Sequence, residues 1–366
     1  MTFDFERRRQ KLVRHLKQNN VSSFLVSHSP NVTYLTGFSG DSTYLFVHQG
    51  RFLLLSDPRY AEQIQNECPG MDCFIRSPDT TLLEATAAQV IKAKCNQLWV
   101  ESHYMALFGY EILKSRLSGC EIHGSAGHVE GLREIKDKEE IAKIERAIEM
   151  AERAFQIVRA GLKSEYTERT VAHQLENEIR ALGGIGCSFP PIVGVGPRAA
   201  LPHGTPSDAK IGSEPFVLID WGAREGEYIS DLTRVLVTSK IPPKFEKVYR
   251  LVLEANEAAI RAIRPGIPAC DVDRAGREVI EKGGFGKQFG HALGHGIGLQ
   301  VHESPRMGLE QRRPLLPGMV VTVEPGIYIP GWGGVRIEDD VLVTKDGCRV
   351  LSTLPKDLES MATKCW

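Results

Sequence analysis

The stretch Val217-Leu218-Ile219-Asp220-Trp221-Gly222-Ala223-Arg224-Glu225-Gly226-Glu227-Tyr228-Ile229-Ser230-Asp231-Leu232-Thr233-Arg234-Val235-Leu236-Val237 reads as two β-strands joined by a tight turn. A tip at Glu225-Gly226 faces Arg224 with Glu227 and, counting outward, sets Asp220 directly opposite Asp231. Directly opposed residues share a face, with Cβ atoms roughly 4.5–5.5 Å apart. Two carboxylates so placed repel unless a cation lies between them, and oxygen ligands at that separation suit one or two hard divalent ions. Two aspartates facing water is the ordinary outcome for a hairpin. Here the apolar run ahead of Asp220 argues for a buried strand instead.

A second run, Gly290-His291-Ala292-Leu293-Gly294-His295-Gly296-Ile297-Gly298-Leu299-Gln300-Val301-His302-Glu303, holds three of the chain's 11 histidines. Its glycines let backbone bend closely around a site and argue against a plain helix. Neutral imidazole is both a common metal ligand and a general acid or base near neutrality. Two acidic positions follow. Glu324 ends the apolar run Met319-Val320-Val321-Thr322-Val323, just before Pro325-Gly326, and the two-residue strand period puts Arg336 and Glu338 on one face. By the same period Thr322 shares a face with Glu324, and Thr233 with Asp231, where their hydroxyls would orient the carboxylates. A glutamate on a buried strand needs a partner. For either one alone, a salt bridge is the more ordinary explanation than a metal.

The surrounding chain has 366 residues, 45 Lys plus Arg against 46 Asp plus Glu, and 42% hydrophobic residues in short runs. That length suits two domains. The charge balance gives no general pull toward nucleic acid or membrane, and no apolar stretch is long enough to span a bilayer. The N-terminus turns charged at once, unlike a signal peptide. The eight cysteines, at 68, 73, 95, 120, 187, 270, 348 and 365, form no Cys-x-x-Cys pair. They suit a reducing cytoplasm as small, mostly buried residues.

Periodicity predicts helices over 4–18, 81–94 and 104–117, and strands over 21–27, 43–48, 51–56, 97–101 and 120–123. Gln49-Gly50 reads as a hairpin tip. This first part is a small α/β domain with no glycine-rich phosphate-binding fingerprint. A boundary falls near 127–136, giving domains 1–128 and 129–366. Helices follow over 136–161, 166–182, 243–263 and 270–282, with strands and glycine-rich loops over 188–237 and 285–354. Runs of strands and helices without a steady βαβ alternation make this second part α+β.

Taken together, Asp220 and Asp231 in Ser-Asp-x-Thr-Arg, His295 in Gly-His-Gly-Ile-Gly, Glu324 in Glu-Pro-Gly and Glu338 in Arg-Ile-Glu-Asp resemble the pita-bread metallopeptidases. That family includes methionine aminopeptidase, prolidase, aminopeptidase P and creatinase. The resemblance spans the whole chain and implies a smaller creatinase-type α/β domain ahead of a pita-bread catalytic domain. It also implies metal-dependent cleavage of an Xaa-Pro peptide bond, in peptides with proline second. One metal would be held by Asp231, His295, Glu324 and Glu338, the other by Asp220, Asp231 and Glu338, with a bridging hydroxide as nucleophile. Manganese is the expected metal, although carboxylate-rich sites also accept Co, Zn or Fe.

The same resemblance makes Glu324 the general base and His302 the donor to the attacked carbonyl. It makes His291 a substrate contact and His203, in Leu201-Pro202-His203-Gly204, a contact at the entrance. Arg336 pairs either with a metal-site carboxylate or with bound peptide. A homodimer is usual for the family.

The N-terminal domain disfavours a methionine aminopeptidase, and the complete ligand set disfavours a metal-free creatinase or a binding protein that has lost activity. Residues 31–40, with 55–60, resemble compact bacterial aminopeptidase P and favour substrates longer than a dipeptide. A prolidase remains the alternative, because Arg336 or Arg59 could clamp the free carboxylate of a dipeptide. A salt bridge for Arg336 and a solvated helix start for Arg59 account for them equally well.

Overall fold

In the computed structural model, which describes residues 3–363, the chain divides into two compact units, the first ending at Arg133 and the second beginning at Glu134. The first unit is built on a six-stranded sheet. Its strands are β1 (Ser23–Val26), β2 (Tyr44–His48), β3 (Arg51–Ser56), β4 (Cys73–Ile75), β5 (Gln97–Glu101) and β6 (Glu121–Ser125), in the order β4-β3-β2-β1-β5-β6. β1–β2 and β2–β3 run antiparallel and the other pairs run parallel. The β2–β3 turn is Gln49-Gly50, both with positive φ, as mirror-image hairpin turns require. Helices α1 (Phe5–Gln18), α2 (Ser29–Thr36), α3 (Ala61–Glu67), α4 (Leu82–Lys92), α5 (Leu107–Arg116) and α6 (Glu130–Arg133) complete it.

The sequence patterns give no sign of α2, α3 or β4. α2 begins Ser29-Pro30 and ends in Gly37 at φ 83, so its boundaries are local. Its interior, Asn31-Val32-Thr33-Tyr34, carries β-favouring residues that helix periodicity passes over. α6 stays with the first unit because Tyr34 donates to the Leu132 carbonyl and Asn31 bridges Glu130 and Arg133. The division falls after residue 133, within the 127–136 stretch where the sequence places the boundary.

The second unit contains α7 (Lys138–Ala160), α8 (Glu168–Ala181), α9 (Pro243–Ala262) and α10 (Ala269–Lys282). Asp137 and Glu140 close a reciprocal cap on α7. Its strands are β7 (Gly186–Cys187), β8 (Ile192–Val195), β9 (Phe216–Trp221), β10 (Ala223–Glu225), β11 (Tyr228–Ile229), β12 (Leu232–Val237), β13 (Gly294–Gly296), β14 (Glu303–Met307), β15 (Val320–Val323), β16 (Gly326–Ile329), β17 (Gly333–Arg336), β18 (Asp339–Val343) and β19 (Cys348–Val350). Small antiparallel sheets β11-β10-β7, β12-β9-β8 and β14-β13-β15-β18-β19, and the pair β16-β17, surround one large apolar core.

The hairpin register differs from the count made on the sequence. Arg224 pairs with Ile229 and Glu225 with Tyr228, so the tip is Gly226-Glu227. Gly226, at φ 57, takes the first turn position, where a type II′ turn needs glycine; a tip at Glu225-Gly226 would have put it second. The ladder then sets Asp220 opposite Thr233 rather than Asp231. The shift is two residues, so every side chain keeps its face, and Asp231 becomes a diagonal neighbour of Asp220, at about 7–8 Å between Cα atoms by the geometry of such ladders.

The seven described cysteines are all free. Cys68, Cys95 and Cys270 are buried, Cys73 is exposed and the other three lie between. Cys365 lies outside the described residues. No helix among the described residues is long and apolar enough to cross a membrane.

Candidate metal centre

Apolar strands carry five ionisable groups of the second unit toward one place. β9 is buried along its length, and its last residue, Trp221, stacks on Phe155 of α7 at 4.4 Å and donates its indole N–H to the Ala151 carbonyl. Such a stack adds about 0.5–1.5 kcal/mol beyond burial. It fixes the strand end on which Asp220 sits. Asp231 lies between β11 and β12, His295 at the centre of β13, Glu324 just after β15, and Glu338 between β17 and β18.

Ligand atoms of Asp231, His295 and Glu338 lie within 4.8 Å of one another. His295 Nε2 is 3.3 Å from Glu324 Oε1 and 3.8 Å from Asp231 Oδ2. Nδ1 of His295 lies 3.1 Å from the Gly296 carbonyl. A carbonyl only accepts, so Nδ1 holds the proton and the Nε2 lone pair faces the carboxylates, the tautomer a metal ligand needs. Burial, with the neighbouring His302 adding to it, pulls the His295 pKa down to about 4.

The carboxylates show the opposite stress. Burial, reinforced by Glu338, Asp220, Glu324 and Asp340, pushes Asp231 well above the ordinary carboxylate range. Burial, with Glu324 and Asp220, does the same to Glu338, and burial raises Glu324 to about 8. Asp220 is raised by burial against the opposing pull of Arg336. Four carboxyl groups this close resist ionising together without added positive charge. The Oδ1 atom of Asp220, moreover, is buried with no hydrogen-bond partner among the described residues. An imidazole lone pair, an orphaned carboxylate oxygen and mutually repelling acids form a donor set that fits divalent cations.

Around this set the structure supplies braces. Thr322 Oγ1 donates to Glu324 at 3.2 Å, as their shared strand face predicts. Thr233 instead donates to Glu338, at 2.6 Å, and accepts from Arg336 Nε at 3.0 Å. Arg336, buried, also donates to Asp220 and to the Tyr328 hydroxyl. Arg336 thus pairs with the Asp220 carboxylate. His291 Nδ1 donates to the Ala292 carbonyl at 2.7 Å, so its Nε2 accepts from the Tyr328 hydroxyl at 2.9 Å. The Asp231 backbone N–H donates to Asp340, which is fully buried.

His302 is more exposed. Its ring meets His295 edge-on at 4.4 Å between centroids. His203 lies in an exposed loop, close enough to Asp220 and His302 to bear on their protonation. That loop is gathered by Glu168, fully buried at the start of α8, whose carboxylate accepts from the N–H of Val195 and Ser207 and from Arg198. Arg59 belongs to the first unit, where Asp57 holds its guanidinium and its side chain is 70% exposed. Tyr328, Asp340 and Glu168 escaped the sequence reading. Only Tyr328 left a trace there, as a hydroxyl-bearing aromatic just past Glu-Pro-Gly, and an aromatic on an apolar strand ordinarily reads as core.

Residues 142–345 match metallopeptidase family M24, and residues 8–135 match the creatinase/prolidase N-terminal domain. The uncharacterized peptidase YqhT of Bacillus subtilis is 36% identical over 349 residues, covering 95% of this chain and 98% of that one. The solved Xaa-Pro dipeptidase from Bacillus anthracis superposes with a TM-score of 0.92 at 33% identity, over 97% of this chain and 99% of that one. An X-Pro aminopeptidase from Thermotoga maritima gives 0.85 at 33% identity, over 94% and 99%. The chain therefore belongs to metallopeptidase family M24, with a creatinase-type N-terminal domain ahead of the pita-bread fold.

Proposed function

We propose that this protein hydrolyses the Xaa-Pro bond of dipeptides, using two divalent cations held by Asp220, Asp231, His295, Glu324 and Glu338. The observation that carries the reading is the convergence of Asp231, His295 and Glu338 within 4.8 Å, beside Glu324 and the orphaned oxygen of Asp220. Bound cations would let the carboxylates ionise together and would supply the Lewis acidity that activates water and polarises the scissile carbonyl. Glu324, ionised once cations are bound, would take the proton of the attacking water and return it to the leaving proline nitrogen. His302 donates a ring N–H to the carbonyl oxygen as charge develops there. His291, its tautomer set by Ala292 and Tyr328, contacts the peptide, and His203 lines the approach. Manganese is the cation to supply first.

The dipeptide preference rests on likeness to the Bacillus anthracis enzyme. A second reading, cleavage of longer Xaa-Pro-Yaa peptides, is supported by residues 31–40 and 55–60 and by the equally identical Thermotoga enzyme. Rates on Ala-Pro and Ala-Pro-Ala, measured with added manganese and again after chelation, test both. Higher kcat/KM on the dipeptide supports the first reading, and higher kcat/KM on the tripeptide supports the second. Activity untouched by thorough chelation would sink the metal mechanism.

A further inference from the structure

Between β13 and β14 the chain leaves the sheet at Gly296 and returns at Glu303, its pairing partner, with an irregularity after His295. The intervening residues end in His302. Glu303 turns its carboxylate back over this loop. Its Oε1 accepts the backbone N–H groups of Leu299, at 2.8 Å, and Gln300, at 3.1 Å. The fit over Gly298 is close, since a Cβ there would stand 2.8 Å from Oε2. The other oxygen receives Lys136 Nζ at 3.0 Å, with the two side chains only 1% and 5% exposed. Lys136 is itself anchored, its backbone N–H donating to the Gly318 carbonyl at 2.8 Å. The Gly298 carbonyl is tied from the other side by the N–H of Ile229, in the hairpin that bears the aspartates.

A buried ion pair gives little net stability and is costly to break from one side. Its worth here lies in what the carboxylate holds. We propose that Lys136 and Glu303 are positioning residues: they fix the loop of residues 297–302 so that the His302 imidazole is aimed at the scissile carbonyl. The proposal rests on the role given to His302 above. Lys136 anchors the Glu303 carboxylate in place, and Glu303 orients the loop through two backbone N–H groups. Neither touches substrate.

The test uses manganese-loaded protein with Ala-Pro and Ala-Pro-Ala in parallel, recording kcat, KM, metal content and thermal melting. Lys136→Met removes the anchor on the second Glu303 oxygen, and kcat is expected to fall by roughly 10- to 100-fold, as small misplacements of catalytic groups do, with metal content kept. Adding Glu303→Gln removes the carboxylate charge while retaining a carbonyl oxygen for the loop N–H groups, so the double variant should recover most of the rate. If Lys136→Met does not fold, Glu303→Gln alone serves, with a smaller loss. In a His302→Ala background each change should cost nothing further, because non-additivity marks residues acting as one unit. A wild-type kcat in folded, metal-loaded Lys136→Met, or a full additional loss on top of His302→Ala, overturns the positioning role. A His302→Ala variant with undiminished kcat overturns instead the reading of His302, and the positioning role falls with it.

Discussion

Arg336 donates to one oxygen of Asp220, while the other, Oδ1, is left buried and unpartnered among the described residues. One guanidinium also serves Thr233 and Tyr328, so it links a carboxylate to the support of Glu338 on one side and of His291 on the other. Removing such a brace typically costs about 10- to 100-fold in metal affinity or activity. Arg336→Ala is expected to fall in that range, read as metal content after dialysis and as kcat. Arg336→Lys should rescue little, because a single ammonium lacks the planar fork that reaches three acceptors at once. Full recovery with lysine would mean that charge alone matters.

Asp231 is the carboxylate most beset by its neighbours, with Glu338, Asp220, Glu324 and Asp340 all raising its pKa beyond the effect of burial. Asp231→Asn keeps the shape and removes the charge. The variant should lose most bound metal and nearly all turnover while its circular dichroism stays that of the parent. Because repulsion is relieved, melting without metal should be no lower than for the parent. Full metal occupancy with normal turnover would remove Asp231 from the ligand set.

His302 and His295 face each other edge-on, yet they should fail differently. His302→Ala is expected to retain metal and lose on the order of 100- to 1,000-fold in kcat, as for the loss of one donor to a developing oxyanion. His295→Ala should lose metal. Metal analysis on both variants separates the two roles, and equal metal loss would make His302 a ligand.

Much of this arrangement was legible in the sequence because it is carried by strand periodicity. Alternation puts Thr322 on the face of Glu324, and the structure bonds them. Convergence of His295 and Glu324 could be inferred only through resemblance, since no spacing rule joins β13 to β15. The hairpin register was misplaced by two residues because Gly226 fits either position of a tight turn on composition, and only the φ of 57 decides it. Faces survived the error and the partner did not, so Thr233 rather than Asp231 stands across from Asp220. The buried braces Glu168, Glu303 and Asp340 were invisible for a different reason. Each bonds backbone groups brought near by folding, and a carboxylate that serves backbone leaves no residue-type signature at its partner.

Glu324 also sets a pH dependence for the metal-free protein. Burial raises its folded pKa to about 8, whereas an unfolded glutamate titrates near about 4.3. Between those values the folded state holds a proton that the unfolded state has released. Stability falls with pH wherever the native state binds more protons. The contribution of Glu324 is therefore fully present below the unfolded pKa, declines as pH rises, and is gone above about 8. Asp231 and Glu338, raised by the same burial and crowding, act in the same direction. His295 acts oppositely but lower down. Its pKa, depressed to about 4, favours the fold above the ordinary histidine range of about 6.5, and that support is lost as pH falls toward 4. Chelated protein should therefore melt at progressively lower temperature as pH is raised from about 6.5 to about 8, a window in which His295 no longer opposes the trend. Manganese should restore more stability at the upper end than at the lower, because binding must displace fewer protons there. Melting curves with and without chelator across this range measure the effect. A metal-free melting temperature that rises through the window would mean that the carboxylates are already ionised without a cation, and the electrostatic case for the metal centre would fail.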